Sequence, residues 1–209
     1  TNDSCQYIEI KGQNPGGTVP ANTWVVVVDA DSANPGVLHV AVNIGGQTVG
    51  PNGTITLVNS GAATGTLPCP GRTFPAETNL IQYFSTFRIG GGLNEVGSES
   101  FLVLETTTAL AVGQDRDADD DGALDFPVAQ YLDYVSLVVN PDEQVWYPEF
   151  QSPILGTPFG DVPDAFTRFG DSNTPFDGSA FYWGEVAASP IQSAAYQAPL
   201  SLNFPTGGV

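Results

Sequence analysis

Short apolar runs separated by turn residues dominate the chain. Residues 23–29 contain four consecutive valines, which predicts a strand that is buried on both faces. Residues 6–11 alternate instead, with Ile8 and Ile10 between polar neighbours, which is typical of a strand with one buried face. The chain is therefore expected to be rich in β-structure. The same two patterns predict further strands at residues 37–42, 54–58, 83–89, 100–106, 131–140 and 180–186.

Turn-forming segments separate these runs. Residues 14–17, 34–36 and 51–53 combine Asn, Pro and Gly, which favour tight turns. No segment shows helical periodicity with capping residues, although residues 75–81 are compatible with a short turn of helix. Short strands with this punctuation predict a β-sandwich or a barrel. Because no low-complexity linker interrupts the pattern, residues 1–209 are expected to form one elaborated domain.

The most informative polar segment spans residues 115–125, the acidic loop, where six of eleven residues are aspartate. Its pattern D-x-D-x-D-G-x-x-x-D has the spacing of a calcium loop, in which alternate carboxylates converge on one cation and glycine permits a sharp turn. Because Val128 stands where an EF-hand has a bidentate glutamate, the pattern predicts a calcium-stabilised loop without a helical sensor. A solvated acidic loop is the alternative. The predicted calcium ligands are the side chains of Asp117, Asp119, Asp121 and Asp125 and the main-chain carbonyl of Ala123.

The chain is strongly acidic, with a formal net charge of -18 and only five Lys and Arg residues. Nucleic acids and anionic lipids bind mainly through such basic residues, so neither is an expected partner. The longest apolar run, residues 24–28, has the length of a strand, which predicts no membrane insertion. The acidic surface instead attracts divalent cations. Residues 29–34 and 171–177 hold further Asp and Asn oxygens, but both residue types are also common in turns.

Several features indicate a secreted, extracellular protein. The chain contains no methionine, so Thr1 is expected to be a processed N-terminus after removal of a signal peptide. Cys5 and Cys69, the only cysteines, are expected to form a disulfide worth roughly 4 kcal/mol; the alternative is two free thiols in a cytosolic protein. Asn2 and Asn52 each begin an N-x-S/T triplet and are candidate glycosylation sites.

Three segments together carry a resemblance to a known family. Residues 7–10, Tyr-Ile-Glu-Ile, are similar to a first strand that typically reads E-x-I-E-L, residues 20–29 resemble the second strand, and residues 50–58 resemble the following hairpin. The family is that of lamin-tail domains, whose secreted bacterial members residues 113–125 and 164–168 also resemble. The resemblance implies an all-β, immunoglobulin-like β-sandwich with long decorated loops. It further implies a binding or structural module that carries no catalytic residues.

Signatures of catalysis are mostly absent from the sequence, and the chain is expected not to be an enzyme. It contains no HExxH, GxSxG, P-loop or Rossmann glycine pattern. His39, the only histidine, lies in a predicted apolar strand, where a lone histidine is usually structural. A hydrolase remains an alternative, because pairs of carboxylates can cleave glycosides. The candidate members of such a pair are Glu99, Glu105, Glu149 and Glu185.

The expected function is that of a non-enzymatic extracellular structural protein, a surface, matrix or fibre subunit stabilised by calcium and the disulfide. Residues 198–205 alternate Leu, Leu and Phe with polar residues between prolines, which predicts a strand. That strand could pair within its own sheet or support self-assembly by addition to another copy. The alternative function is a carbohydrate- or surface-binding accessory module of a secreted hydrolase system. Aromatic residues at 146–147, 166 and 181–183 could line a glycan site, although such residues more often fill a sandwich core.

Overall fold

The structure, a computed structural model, describes residues 7–31, 34–59, 75–83, 97–137, 165–168, 174–176 and 181–184. Within these ranges the chain forms nine β-strands and no helix, which confirms the all-β prediction. None of the described segments is therefore a helix that could cross a membrane. The strands are β1 (Tyr7–Lys11), β2 (Thr23–Asp29), β3 (Leu38–Asn43), β4 (Thr54–Asn59), β5 (Asn79–Tyr83), β6 (Glu99–Glu105), β7 (Gln130–Leu137), β8 (Ala165–Arg168) and β9 (Phe181–Gly184).

Seven of these strands build two sheets that pack face to face as a β-sandwich, as predicted. One sheet is antiparallel and four-stranded, in the order β3-β2-β6-β7. The other is three-stranded, in the order β1-β4-β5, with β1 antiparallel and β5 parallel to β4. A separate two-stranded sheet joins β8 to β9. Between the two larger sheets, side chains of one face of each form a common core: Val25, Val27, Val40, Ile55 and Leu57.

The valine run of β2 explains how the four-stranded sheet is buried. Val25 and Val27 point into the interface with the other sheet, whereas Val26 and Val28 belong to a second core on the opposite face. All four side chains are at most 2% exposed. An unbroken valine run therefore suits a strand with apolar layers on both sides, where β-branched side chains pack well.

The second core is closed by the connection between β6 and β7. Leu110 and Phe126 from this connection are buried together with Val26 and Leu38 of the sheet. Its backbone also pairs with the start of β3, because the N–H of Leu38 donates to the carbonyl of Gln114 at 2.9 Å. The acidic loop lies within this connection and is therefore part of the outer layer of the fold.

The structure departs from the predicted elements at β5 and β8. β5 begins at Asn79, inside the segment that is compatible with a helical turn. It is a strand because it pairs with β4 and because Ile81 packs against the core between the sheets. β8 has no counterpart among the predicted strands. Most of the predicted strand at 83–89, and all of that at 198–205, lie outside the described residues.

Candidate functional site

The acidic loop is the first of two polar clusters that stand out among the described residues. Its chain reversal uses left-handed backbone conformations at Asp120, with φ 55°, and Gly122, with φ 87°. Glycine adopts this region without steric cost, and aspartate is one of the few other residues that tolerate it. The N–H of Asp125 then donates to the carbonyl of Arg116 at 2.7 Å, which closes the loop at its base.

Aspartate side chains hold the loop in this shape. Oδ1 of Asp115 accepts the N–H of Asp117 at 3.0 Å, two residues further along. Oδ1 of Asp121 accepts the N–H of Ala123 at 2.9 Å in the same way. These short-range bonds mimic backbone turns, so both aspartates have a structural role that requires no cation.

Asp117 is the buried centre of the loop, with an exposed fraction of 0%. Its Oδ1 accepts the N–H of Asp121 at 3.1 Å, and its Oδ2 accepts the N–H of Gly122 at 3.2 Å. Burial raises the pKa of Asp117 above its ordinary value, the two amide hydrogen bonds act against that rise, and the carboxylates of Asp119 and Asp121 add to it. A cation beside Asp117 would offset both the cost of burying its charge and the repulsion from the neighbouring carboxylates.

Three carboxylates of the loop converge. One oxygen from each of Asp117, Asp119 and Asp125 lies within 4.8 Å of the other two. Calcium binds oxygen at about 2.3–2.6 Å, so two oxygens on the same ion lie at most about 5 Å apart. Asp119 and Asp125 are exposed. Oδ2 of Asp125 accepts the N–H of Ala118 at 2.7 Å. The spacing and the hard oxygen donors therefore suit one calcium ion.

The structure brings together part of the predicted ligand set. Asp117, Asp119 and Asp125 form the convergent group. The carboxylate of Asp121 is not a member of this group and instead accepts the N–H of Ala123. A role for Asp121 and for the Ala123 carbonyl in binding calcium remains a prediction, as does calcium binding itself.

Arg116 is the basic residue of the acidic loop, and its side chain anchors the loop to the fold. One Nη donates to Oε1 of Gln114 at 2.6 Å and to the carbonyl of Ala109 at 3.1 Å. The guanidinium also lies 5.9 Å from the ring centroid of Phe126, a cation–π distance. These contacts direct the positive charge toward the scaffold that supports the loop.

The second cluster is centred on His39, which occupies a β-bulge. Val27 of β2 pairs with Val40 of β3, but the next residue, Val28, pairs with Leu38, so His39 has no partner in the register. An extra residue of this kind re-aims the side chains around it. Leu38 faces the second core and Val40 the core between the sheets. The bulge turns His39 toward the latter face, beside its neighbour Val40.

The imidazole of His39 lies between two carboxylates. Its Nε2 is 3.1 Å from Oδ2 of Asp29, and its Nδ1 is 2.7 Å from Oε1 of Glu99. Asp29 and Glu99 are cross-strand partners at the ends of β2 and β6, so the three residues join three adjacent strands. All three are buried, with exposed fractions of 7% for His39, 5% for Asp29 and 1% for Glu99.

This environment keeps His39 charged. Burial lowers the pKa of His39, but the hydrogen bonds and charges of Asp29 and Glu99 outweigh burial and raise that pKa to about 9. In the protonated ring both nitrogens donate, so neither can act as a general base at neutral pH. Glu99, one of the glycosidase candidates, is paired with His39 in this cluster. Of the other glycosidase candidates, Glu105 ends β6, whereas Glu149 and Glu185 lie outside the described residues.

Local sequence patterns miss that Asp29 and Glu99 meet at His39, because the three residues lie on three different strands. One signal was available, because Asp29 and Glu99 are acidic residues at the ends of strands that are otherwise largely apolar. Asp29 also belongs to a weaker metal candidate, residues 29–34. Its Oδ1 accepts the N–H of Asp31 at 2.9 Å while its Oδ2 faces His39, so its carboxylate is used within the fold.

The remaining predicted sites lie on turns or outside the described residues. Asn52 is exposed in the turn before β4, where its Nδ2 donates to Oγ1 of Thr78 at 2.6 Å and its Oδ1 accepts the N–H of Thr54 at 3.1 Å. Glycosylation at this surface position remains a prediction. Asn2, Cys5 and Cys69 lie outside the described residues, and with them the predicted disulfide and the first glycosylation triplet.

One of the aromatic residues suggested for a glycan site belongs to the core. The ring of Phe166 meets that of Phe101 edge to face, with centroids 4.9 Å apart, and packs near buried Val135. Residues 146–147 lie outside the described residues, and residues 181–183 form part of β9. Phe166 therefore has the packing role that aromatic residues usually have in a sandwich.

The chain matches no protein-family model, no curated protein and no solved structure. The resemblance to lamin-tail domains consequently remains a prediction from short segments. The function must be inferred from the chain's own residues.

Proposed function

We propose that this protein is a non-enzymatic structural subunit of an extracellular surface, matrix or fibre, and that calcium bound by the acidic loop stabilises it. The observation that carries the proposal is the position of the loop. It lies within the connection that covers the outer face of the four-stranded sheet, directly before the buried Phe126. A cation bound there braces the fold itself.

Repulsion between the carboxylates of the loop is the reason that a bound cation would stabilise it. The clustered oxygens of Asp117, Asp119 and Asp125 belong to like charges, and like charges this close repel one another, most strongly at the buried Asp117. A calcium ion converts this repulsion into attraction in the folded state only. At a calcium concentration of ten times the dissociation constant, binding to the native state adds about 1.4 kcal/mol to the free energy of unfolding.

The His39 cluster supports a structural function. Buried charged groups in an active site are expected to face a cavity and to have pKa values near the working pH. His39 instead has both ring nitrogens on carboxylates and lies 7% exposed between strands. Its charge joins the strands of one sheet, which is a use suited to a rigid subunit.

Self-assembly by β-strand addition is the mode of association that fits a fibre or surface subunit. The candidate donor is the alternating segment 198–205, which lies outside the described residues. The acidic charge of -18 would oppose close packing of copies, and calcium would reduce that repulsion. Calcium is therefore expected to promote both folding and assembly.

Electron microscopy of the natively secreted protein, with calcium and after chelation, tests this function. Regular fibres or sheets are expected with calcium, and their loss on chelation would connect the acidic loop to assembly. Deletion of residues 198–205 is expected to leave a folded but dispersed protein. Dispersed particles in every condition would contradict the subunit role.

A second candidate function, glycan binding, is favoured by one exposed aromatic group. Phe176 is the large hydrophobic side chain exposed among the described residues, at 41%, and its ring centroid lies 4.8 Å from that of Tyr134. Its N–H donates to Oδ1 of Asp133 at 2.9 Å, which holds a left-handed backbone with φ 61°. Aromatic faces of this kind stack on sugars. Glycan-array binding that Phe176→Ala abolishes would support this function, whereas identical profiles would oppose it.

A further inference from the structure

We propose that His39, Asp29 and Glu99 form a pH-sensitive clasp. When the imidazole is protonated, the clasp holds the hairpin between β2 and β3 against β6. When the imidazole loses its proton, this end of the sheet loosens, and with it the part of the hairpin that contacts the acidic loop. The proposal concerns the scaffold and does not depend on whether the loop binds calcium.

The first step of the argument is the geometry at the end of the sheet. The N–H of Asp29 donates to the carbonyl of Val37 at 2.9 Å, and the N–H of Gly36 donates to the carbonyl of Asp29 at 3.0 Å. The backbone of Asp29 therefore helps to close the hairpin, and the Asp29 side chain that contacts His39 starts from this closure. His39 follows on the second arm, and Glu99 supplies the contact with β6. One protonated ring thus joins three strands where their hydrogen-bonded ladders end.

The second step is the set of charges around the ring. The charges that act on His39 are those of Asp29 from β2 and Glu99 from β6. β3 itself, β4 and β5 have no other Asp, Glu, Lys or Arg. Asp133 of β7 pairs with Val103, four positions along β6 from Glu99, which corresponds to about 13 Å.

Among the described residues, further charged groups lie at Asp31, whose N–H donates to Oδ1 of Asp29, on β1 and in the acidic loop. In β1, Glu9 and Lys11 alternate with Ile8 and Ile10, and only the isoleucines pack into the interface between the sheets. The aspartates of the acidic loop reach the hairpin at Gly36, outside that interface. Deprotonation of His39 therefore removes the positive charge that lies between the two buried carboxylates, and the neutral ring can donate to only one of them.

The third step connects the clasp to the acidic loop. The carbonyl of Gly36 accepts the N–H of Arg116 at 3.0 Å, and Val37 forms a bridge with Asp115. Gly36 is therefore bonded on one side to Asp29 of the clasp and on the other to the first turn of the loop. If the hairpin loosens at Asp29, Gly36 is no longer held in place, and the hydrogen bond from Arg116 to Gly36 weakens.

NMR spectroscopy tests the clasp, because the chain has a single histidine and therefore a single imidazole signal. In chelator, at constant temperature, the imidazole is titrated while the amide hydrogen-exchange protection of Gly36 and Arg116 is followed. Protection is corrected for the intrinsic pH dependence of exchange. The matched control amide is that of Gly53, whose N–H donates to Gly50 at 2.8 Å in the turn before β4, in the other sheet.

The expected result is an imidazole midpoint near the raised pKa of about 9, accompanied by a loss of protection at Gly36 and Arg116 of about tenfold or more. Gly53 is expected to keep its protection over the same range. The variant Glu99→Gln should lower the imidazole midpoint and the loss of protection together, whereas Glu105→Gln, at the other end of β6, should change neither.

Two results would overturn the proposal. An imidazole midpoint near the ordinary histidine pKa of about 6.5 would show that the two carboxylates do not hold the proton. A high midpoint with equal protection changes at Gly36, Arg116 and Gly53 would show that the charged ring does not hold the hairpin. Because the wild-type titration alone distinguishes these results, the test remains decisive even if Glu99→Gln fails to fold.

Discussion

Gly36 packs directly against Asp117. A β-carbon added at position 36 would lie 2.8 Å from Cβ of Asp117 and 2.9 Å from its backbone nitrogen. The backbone at Gly36 also has φ 85°, in the left-handed region. The β2–β3 hairpin of the four-stranded sheet and the buried centre of the acidic loop are thus in contact through a residue that has no side chain.

Gly36→Ala is expected to destabilise the protein more than Gly46→Ala. Both glycines are in turns and have similar left-handed conformations, φ 85° and 81°, so both variants incur a backbone cost of about 1 kcal/mol. A methyl group at position 46 meets nothing within 4 Å, whereas at position 36 it collides with Asp115 and Asp117. Overpacking of this kind costs about 1–3 kcal/mol more. Chemical denaturation measures the difference, and equal losses would contradict the close contact.

Asp119→Asn and Asp125→Asn are each expected to weaken calcium binding by about tenfold or more, because each removes a charged oxygen from the convergent group. The thermal shift between calcium and chelator should shrink accordingly. Asp120→Asn is the matched control, since it removes the same charge while asparagine tolerates the left-handed backbone at this position.

The same measurement on Asp121→Asn determines whether the predicted fourth carboxylate binds the ion. A reduced calcium shift would include Asp121 in the site, whereas equal losses of stability in calcium and in chelator would assign it only to the bond with Ala123. If all four variants behaved alike, the loop would be a solvated acidic segment without a specific site.

Phe126→Ala is expected to lower the free energy of unfolding by about 3–5 kcal/mol, because it opens a cavity under the connection that covers the second core. Phe126→Leu should cost much less, since it keeps most of the apolar volume. Urea denaturation of both variants in chelator isolates the packing effect from any effect of calcium. A loss below about 1 kcal/mol for the alanine variant would mean that the connection contributes little to the core.

Stability is expected to fall as the pH rises from neutral toward 9. The pKa of His39 is raised from 6.5 to about 9 in the folded state, so the native protein binds this proton more tightly than the unfolded chain does. The resulting stabilisation, about 3 kcal/mol, is fully present below pH 6.5 and is lost as the pH passes through 9.

Denaturation curves of the wild type and of His39→Gln over this pH range measure the effect. The variant leaves two buried carboxylates without their cation and is expected to be less stable by about 3–5 kcal/mol at pH 6.5. The difference between the two proteins should narrow as the pH rises. If the difference in stability between the wild type and His39→Gln stays constant from pH 6.5 to 10, the titration of His39 does not cause the fall in stability.

The sequence by itself determined the β-character of the chain and the location of the acidic loop. The period of two in β1 and the valine run of β2 predict strands because alternation and burial act on neighbouring residues. The acidic loop could likewise be identified, because ligand spacing in a calcium loop is a property of one short segment. The convergence of Asp117, Asp119 and Asp125 follows largely from that local geometry.

Only the tertiary structure decided which distant residues meet. β5 is a strand because β4 pairs with it, His39 is charged because Asp29 and Glu99 come from two other strands, and the loop covers a sheet through Phe126. None of these contacts has a local period. Strand order and a single bulge select them, and both depend on how whole sheets pack rather than on the residues next to one another in the chain.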